Sequence, residues 1–335
     1  MSELGRDLDE IAAETGFSGV VRFDRGDDPH VVRAYGFADR AHGIPNTPDT
    51  QFATASGTKG LTALGVMRLV EDGALRLETT ARSVLGSDLP LVDERVTVEH
   101  LLAHRSGIGD YLDEELDLDF SDYLLPVPAQ RLATTEDYLG VLDGHPQKFE
   151  PGERFSYCNG GYVLLALIAE RVAETPFHDL VHDLVCAPAG MVDTAFLRSD
   201  ALPGRAALGY VRVGDEWRTN VFHLPVCGSG DGGIYTTAAD VLAFWRALFA
   251  GAIVGEETLA EMIRERSPVD PDRGYGLGFW LPRGGRAVRL HGFDTGVRFA
   301  TVHDPEHDVT WTMLSNTEAV PPSLGARLEE ERTSA

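Results

Sequence analysis

The sequence predicts an α+β fold: an antiparallel sheet built from both termini and flanked by helices, with a mostly helical domain inserted. Three observations carry this. Stretches rich in Val, Phe and Trp stand near the start and again after residue 270, the middle follows helical apolar periodicity, and helical patterns occupy both ends. The division drawn from them is 1–50 with 235–335 for the sheet domain and 51–234 for the helical domain, with the active site in the cleft between.

Residues 4–15 put Leu4, Leu8, Ile11 and Ala12 on one stripe, which predicts a first helix. Residues 17–23 and 30–36 read as two strands joined by a turn-rich link, a hairpin. A helix then opens at Ser56 and runs to Asp72, where Gly73 stops it. Short helices are expected at 97–103, 135–142, 161–173 and 177–185, the last opened by Thr175 and Pro176. Between them 109–134 is long, acidic and marked by Pro126 and Pro128, a length that predicts a segment covering a site. Residues 210–217 read as a small hairpin turning at Gly214 and Asp215, and 238–249 and 256–266 as helices. From 275 the chain turns β-rich, at 275–281, 287–290, 297–302 and 309–314, before a last helix at 323–331.

With 53 acidic against 29 basic residues, a net charge of −24 and a pI near 4.7, the chain lacks the basic face that nucleic acid or an anionic membrane requires. The acidic run 113–122 lacks the glycine turn and spacing of a calcium loop and reads as solvated surface. Cys158, Cys186 and Cys227 are too few and scattered for a disulfide framework. His178 and His182 lie one helical turn apart without the His-Glu-x-x-His pattern, so no metal or other cofactor is expected. The acidic start shows no export signal and no apolar run would span a bilayer, which predicts a cytoplasmic protein.

The chemistry concentrates at Ser56-Gly57-Thr58-Lys59. Residues three apart at a helix start share one face, which brings the lysine amine beside the serine hydroxyl. A serine becomes a nucleophile when a neighbouring base takes its proton, a role open to lysine and closed to arginine. Of the 29 basic residues only Lys59 and Lys148 are lysine. Tyr157 and Asn159, at the mouth of a predicted helix, offer a phenol that would act as a base if nearby cations lowered its pKa, and an amide that orients a lysine or a substrate carbonyl. Residues 289–297, at the end of a predicted strand, carry Gly292 and Gly296, which would let a substrate approach backbone N–H groups.

In order and spacing these pieces resemble the serine β-lactamase and penicillin-binding protein superfamily, and its class C-like branch in particular, with its family VIII esterases, D-stereospecific peptidases and acyl transferases. The segments at 101–108, 230–240 and 314–316 are similar as well, so the likeness spans about residues 10–318. It implies a β-lactamase-like fold with Ser56 as acylated nucleophile, Lys59 as its proton acceptor, Tyr157 as partner base and Asn159 as a positioning group. Which of Lys59 and Tyr157 takes the serine proton stays open. The oxyanion hole would use the Ser56 N–H and one after the third motif.

That motif departs from the family. Aligned without a gap it reads Leu290-His291-Gly292, with Leu where Lys or His stands and Phe293 supplying the N–H; shifted by one, His291 takes the basic position but Phe293 falls where glycine belongs. The first register removes the cation that meets a substrate carboxylate, which favours a small uncharged ester or amide. The expected function is therefore a serine hydrolase forming an acyl-enzyme, an esterase before a D-amino-acid peptidase or β-lactamase. An acyl-transfer or binding protein with weak hydrolysis is the alternative of another class.

Overall fold

In the computed structural model, which describes residues 2–26, 28–116 and 124–334, eight strands form one antiparallel sheet. They are β1 (Gly19–Arg25), β2 (Asp28–Tyr35), β3 (Ser267–Asp270), β4 (Arg273–Tyr275), β5 (Trp280–Pro282), β6 (Val288–Asp294), β7 (Val297–Asp304) and β8 (Val309–Ser315). Their order is β3-β4-β5-β6-β7-β8-β1-β2, so the two ends of the chain meet where β1 pairs with β8, Val20 opposite Leu314. The sheet assembled from both termini is the one the sequence predicts.

Strand alternation sends each face to a different core. Val21 and Phe23 face outward with Trp311 and Met313, against α1 (Glu3–Thr15). Val20 and Leu314 face inward, toward α2 (Thr58–Glu71), α3 (Asn159–Ala173) and α4 (Ala238–Phe249). The last helix, α5 (Pro322–Thr333), joins α1 on the outer face through Leu324 and Leu328. Ser2 caps α1 by accepting from Gly5 N, and Gly16 at φ 70° ends it. In α2 every residue from Thr58 to Met67 is buried, as in α3 from Asn159 to Ala169; both run through the interior rather than along its surface.

Several elements differ from expectation for local reasons. The helix expected over 256–266 stops at Met262 because residues 267–270 pair with β4. The run 275–281 divides into β4 and β5 at Gly278, whose φ of +94° breaks an extended chain. The strand expected to end at Leu290 continues to Asp294, so the third motif lies within a strand rather than on a turn. The helix expected over 177–185 changes at His182 to a π-helical turn reaching Cys186. A three-stranded ribbon that the sequence did not reveal, Phe52–Ala53 and Ala195–Phe196 on either side of Ile234–Thr236, anchors the chain just before Ser56. Among the described residues no helix is long and apolar enough to cross a membrane.

Leu8 is fully buried between α1 and the outer face of the sheet. Leu8→Ala is expected to lower the unfolding free energy by about 2–4 kcal/mol in urea titration; a loss under about 1 kcal/mol would mean that this helix is not packed as described.

Candidate active site

Ser56 sits on a single 3₁₀ turn, Ala55–Gly57, that leads into α2. The turn is strained: Ala55 has φ +46°, the left-handed region that a residue with a Cβ rarely adopts. One helical turn on, Lys59 is 2% exposed, and its Nζ donates to Ser56 Oγ at 3.1 Å, Asn159 Oδ1 at 2.8 Å and the Asp231 carbonyl at 2.8 Å. The Tyr157 ring centroid lies 4.8 Å from the same nitrogen. Four of the residues singled out from the sequence, from positions a hundred apart, thus share one cluster.

The Tyr157–Asn159 segment is held by groups the sequence did not reveal. The buried Asp110 carboxylate accepts from Asn159 N at 2.6 Å and Gly160 N at 2.8 Å, tying down the first amides of α3. Burial pushes that carboxyl up to about 6, against the pull of those N–H groups. Cys158 turns away from the site, its Sγ accepting from Gly161 N, while its own N–H donates to His104 Nδ1 at 3.1 Å. His104 supports the tyrosine, with ring centroids 4.3 Å apart, and Trp280 stacks on the same phenol within 18° of parallel. A hint lay in Leu101–Ile108, one of the similar segments, but nothing in a linear pattern says which ring lies under which. Asn159 Nδ2 donates to Leu112 O and Glu114 Oε1, and Lys148 pairs with Asp113 and Glu115. The described flanks of the segment expected to cover the site therefore line it; residues 117–123 lie outside the described residues.

One electrostatic expectation is corrected. The sequence suggested a tyrosine whose pKa nearby cations lower, but burial, reinforced by the Glu114 charge, raises the Tyr157 phenol well above its ordinary value. Tyr157 is therefore a neutral phenol near neutral pH.

The third motif lies against the Ser56 turn. A Cβ on Gly292 would stand 2.0 Å from Thr54 O and 2.8 Å from Ser56 N, so only glycine permits β6 to pass this close, and Phe293 follows directly beside Ser56. Leu290 is buried against Gly60 in α2. His291 points to the opposite face, 4.8 Å from the Trp280 ring, and burial together with Arg289, Arg298, Arg273 and Lys59 drives its imidazole down to about 4. It carries no charge near neutral pH.

A profile of the Beta-lactamase family matches residues 4–332. The chain belongs to the β-lactamase family. It is 32% identical over 286 residues to Esterase EstB of Burkholderia gladioli, a span of 74% of this chain and 70% of the esterase. With Penicillin-binding protein 4* of Bacillus subtilis (strain 168) it shares 29% identity over 323 residues, 90% of this chain and 68% of that one. The crystal structure of a penicillin binding protein from Bacillus halodurans is similar at a TM-score of 0.90 and 34% identity, over 98% of this chain and 99% of that one. The fold is β-lactamase-like, and the protein is a serine hydrolase of this family.

In this β-lactamase-family site Ser56 opens on two spaces. On the Asn159 side lies a pocket of about 1060 Å³ including open solvent, lined by Leu112, Leu125, Leu197, Leu224 and Val226, with the carboxyls of Glu114, Asp231 and Asp294 near its floor. On the Tyr157 side a groove of about 1350 Å³, also counting open solvent, follows the outer face of β6 and is lined by Arg273 and Arg298. Leu290 leaves β6 without a cation at the motif position, while Arg273, paired with Asp270, and Arg298 lie along the groove from β4 and β7.

Two outcomes follow. Gly292→Ala forces β6 off the Ser56 turn and is expected to lower kcat/KM by about a hundredfold or more, measured on any ester the wild type turns over, with the circular dichroism spectrum unchanged. Burial, with Asp231 adding to it, pushes Asp294 up to about 7, above its unfolded value. The folded state therefore holds that proton more tightly, and stability is lost as pH rises from about 4 through 7. Asp294→Asn should raise Tm at pH 8 by a few degrees, a gain of about 1–2 kcal/mol, and the gain should vanish near pH 4; an equal effect at both pH values excludes this electrostatic cause.

Proposed function

We propose that Ser56 is the acylated nucleophile, Lys59 the acceptor of its proton, and Tyr157 the donor to the departing oxygen. The observation that carries this reading is the hydrogen bond of 3.1 Å between Lys59 Nζ and Ser56 Oγ, made by an amine that is also tied to Asn159 and Asp231. Those two fixed acceptors hold the amine on the serine, and in its neutral form it removes the hydroxyl proton as the oxygen attacks. The neutral phenol of Tyr157, close to the same nitrogen, then passes a proton to the leaving atom and recovers one from Lys59. Asn159 positions the amine and the substrate carbonyl. The Ser56 and Phe293 N–H groups, brought together by Gly292, form the oxyanion hole, and uncharged His291 lines the substrate groove. The site lies in the cleft between the sheet domain, 1–50 with 235–335, and the helical domain, 51–234.

The substrate proposed is a small ester with an uncharged acyl group. The apolar lining of the pocket on the Asn159 side supports this, as does the likeness to an esterase, and the carboxyls at its floor disfavour an anionic acyl group. Those same carboxyls favour a second reading, a D-amino-acid amide whose ammonium group they would receive; turnover of D-alanyl anilides separates the two.

An activated phosphonate followed by intact-mass measurement tests the assignment, since it should add one adduct on Ser56 and none to Ser56→Ala. Lys59→Arg should abolish acylation with the fold intact, because a permanent charge cannot accept a proton; retained activity in that variant would refute the role. Nitrophenyl esters of graded chain length, run beside nitrocefin, should be hydrolysed in preference to the lactam.

A further inference from the structure

The two spaces beside Ser56 hold different titratable groups. Tyr157 lines only the groove, and Asp294 lines only the pocket on the Asn159 side. Residues i and i+2 of a strand share a face, so Asp294 leaves β6 on the same face as Gly292, the one against which the Ser56 turn lies. It stands two residues farther on, about 7 Å along the strand. That separation leaves room for one water between the carboxylate and an acyl group on Ser56, with a hydrogen bond of about 2.8 Å to each side.

Three carboxyls line that pocket, and their partners differ. Asp231 accepts from the Tyr111 hydroxyl and from the N–H of Gly232, and Glu114, exposed at the rim, accepts from Asn159 Nδ2 at 3.1 Å. Asp294 sits on a paired strand, where one oxygen accepts from Thr295 N at 2.8 Å and the other has no hydrogen-bond partner among the described residues. Burial pushes this carboxyl up to about 7 against the pull of the Thr295 N–H; Asp231 and Glu114 raise it further and Lys59 opposes them. Tyr111, Tyr138, Tyr235 and His223 complete the titratable side chains around the pocket. A carboxylate of that basicity can take a proton from water near neutral pH. Its burial destabilises the fold, and groups held at such a cost gather where chemistry needs them.

We infer that Asp294 is a further catalytic residue, the base that activates water for hydrolysis of the Ser56 acyl-enzyme. Acylation then uses the Tyr157 side of the serine and deacylation the Asn159 side. Water loses a proton to the Asp294 carboxylate as its oxygen forms the bond to the acyl carbon. The bond from that carbon to Ser56 Oγ then breaks with its electron pair on Oγ, the proton passes from Asp294 to Oγ, and the carboxylic acid leaves. This inference rests on the Ser56 role proposed above.

Nitrophenyl butyrate separates the two half-reactions, because nitrophenolate is released in the first and butyrate in the second. Asp294→Asn is expected to release about one nitrophenolate per Ser56 in a burst and then to turn over about a hundredfold or more slower than wild type, with the butyryl adduct on Ser56 visible by intact mass. Hydroxylamine attacks an ester without help from a base, so it should speed turnover of this variant by about tenfold or more and that of wild type by less than about threefold. Asp294→Glu should recover part of the rate. In wild type, decay of the butyryl-enzyme followed by quenched-flow mass measurement should quicken as pH rises through about 7 and then level off, because the base acts only when ionised; Asp294→Asn should lack that rise. A variant that turns over as fast as wild type, or that loses its burst together with its turnover, overturns the inference. So does a wild-type decay rate that stays flat from about pH 5 to about pH 9. If the activated phosphonate labels Ser56 and deacylation is indifferent to Asp294, this inference alone fails; if Ser56 stays unlabelled, the nucleophile assignment beneath it fails.

Discussion

The buried amine of Lys59 organises this molecule. An amine that is 2% exposed must find polar partners inside the protein, and here they come from three separate parts of the chain: Ser56 on the turn before α2, Asn159 at the head of α3 and the Asp231 carbonyl in the loop before Gly232. Satisfying one amine therefore fixes the relative positions of two central helices and a loop. The geometry of the candidate site and the requirement that a buried polar group be hydrogen-bonded are the same constraint.

Around that centre the supporting contacts do different work. Asp110 spends its carboxylate on backbone amides, so Tyr157 and Asn159 emerge from a backbone that has nowhere else to go. His104 and Trp280 press on the phenol, leaving it desolvated and protonated. Gly292 and Gly60 remove the side chains that would keep β6 away from α2, and the strained Ala55 completes the turn that presents Ser56. Each of these arrangements raises the local energy of some group, and the packed sheet and helices on either side hold it in place.

Charge lies on both sides of Ser56. The carboxyls of Glu114, Asp231 and Asp294 line the pocket on the Asn159 side, and Arg273 and Arg298 line the groove on the Tyr157 side together with Glu114, which borders both.

The sequence by itself determined a great deal. The pairing of both termini in one sheet was legible because strand-type alternation occurs at both ends with helical periodicity between, and the candidate cluster was legible because Ser56 and Lys59 are brought together by the local geometry of the turn that enters α2. Tyr157 and Asn159 could be matched through a resemblance that spans the chain. What the tertiary structure decided is everything that depends on burial and on strands meeting sideways. The third motif became part of a strand because it pairs with β7, and Gly292 lets that strand pass close to Ser56; Tyr157 became a protonated phenol because packing desolvates it. Desolvation and cross-strand proximity are properties of the folded solid, and no spacing along the chain encodes them.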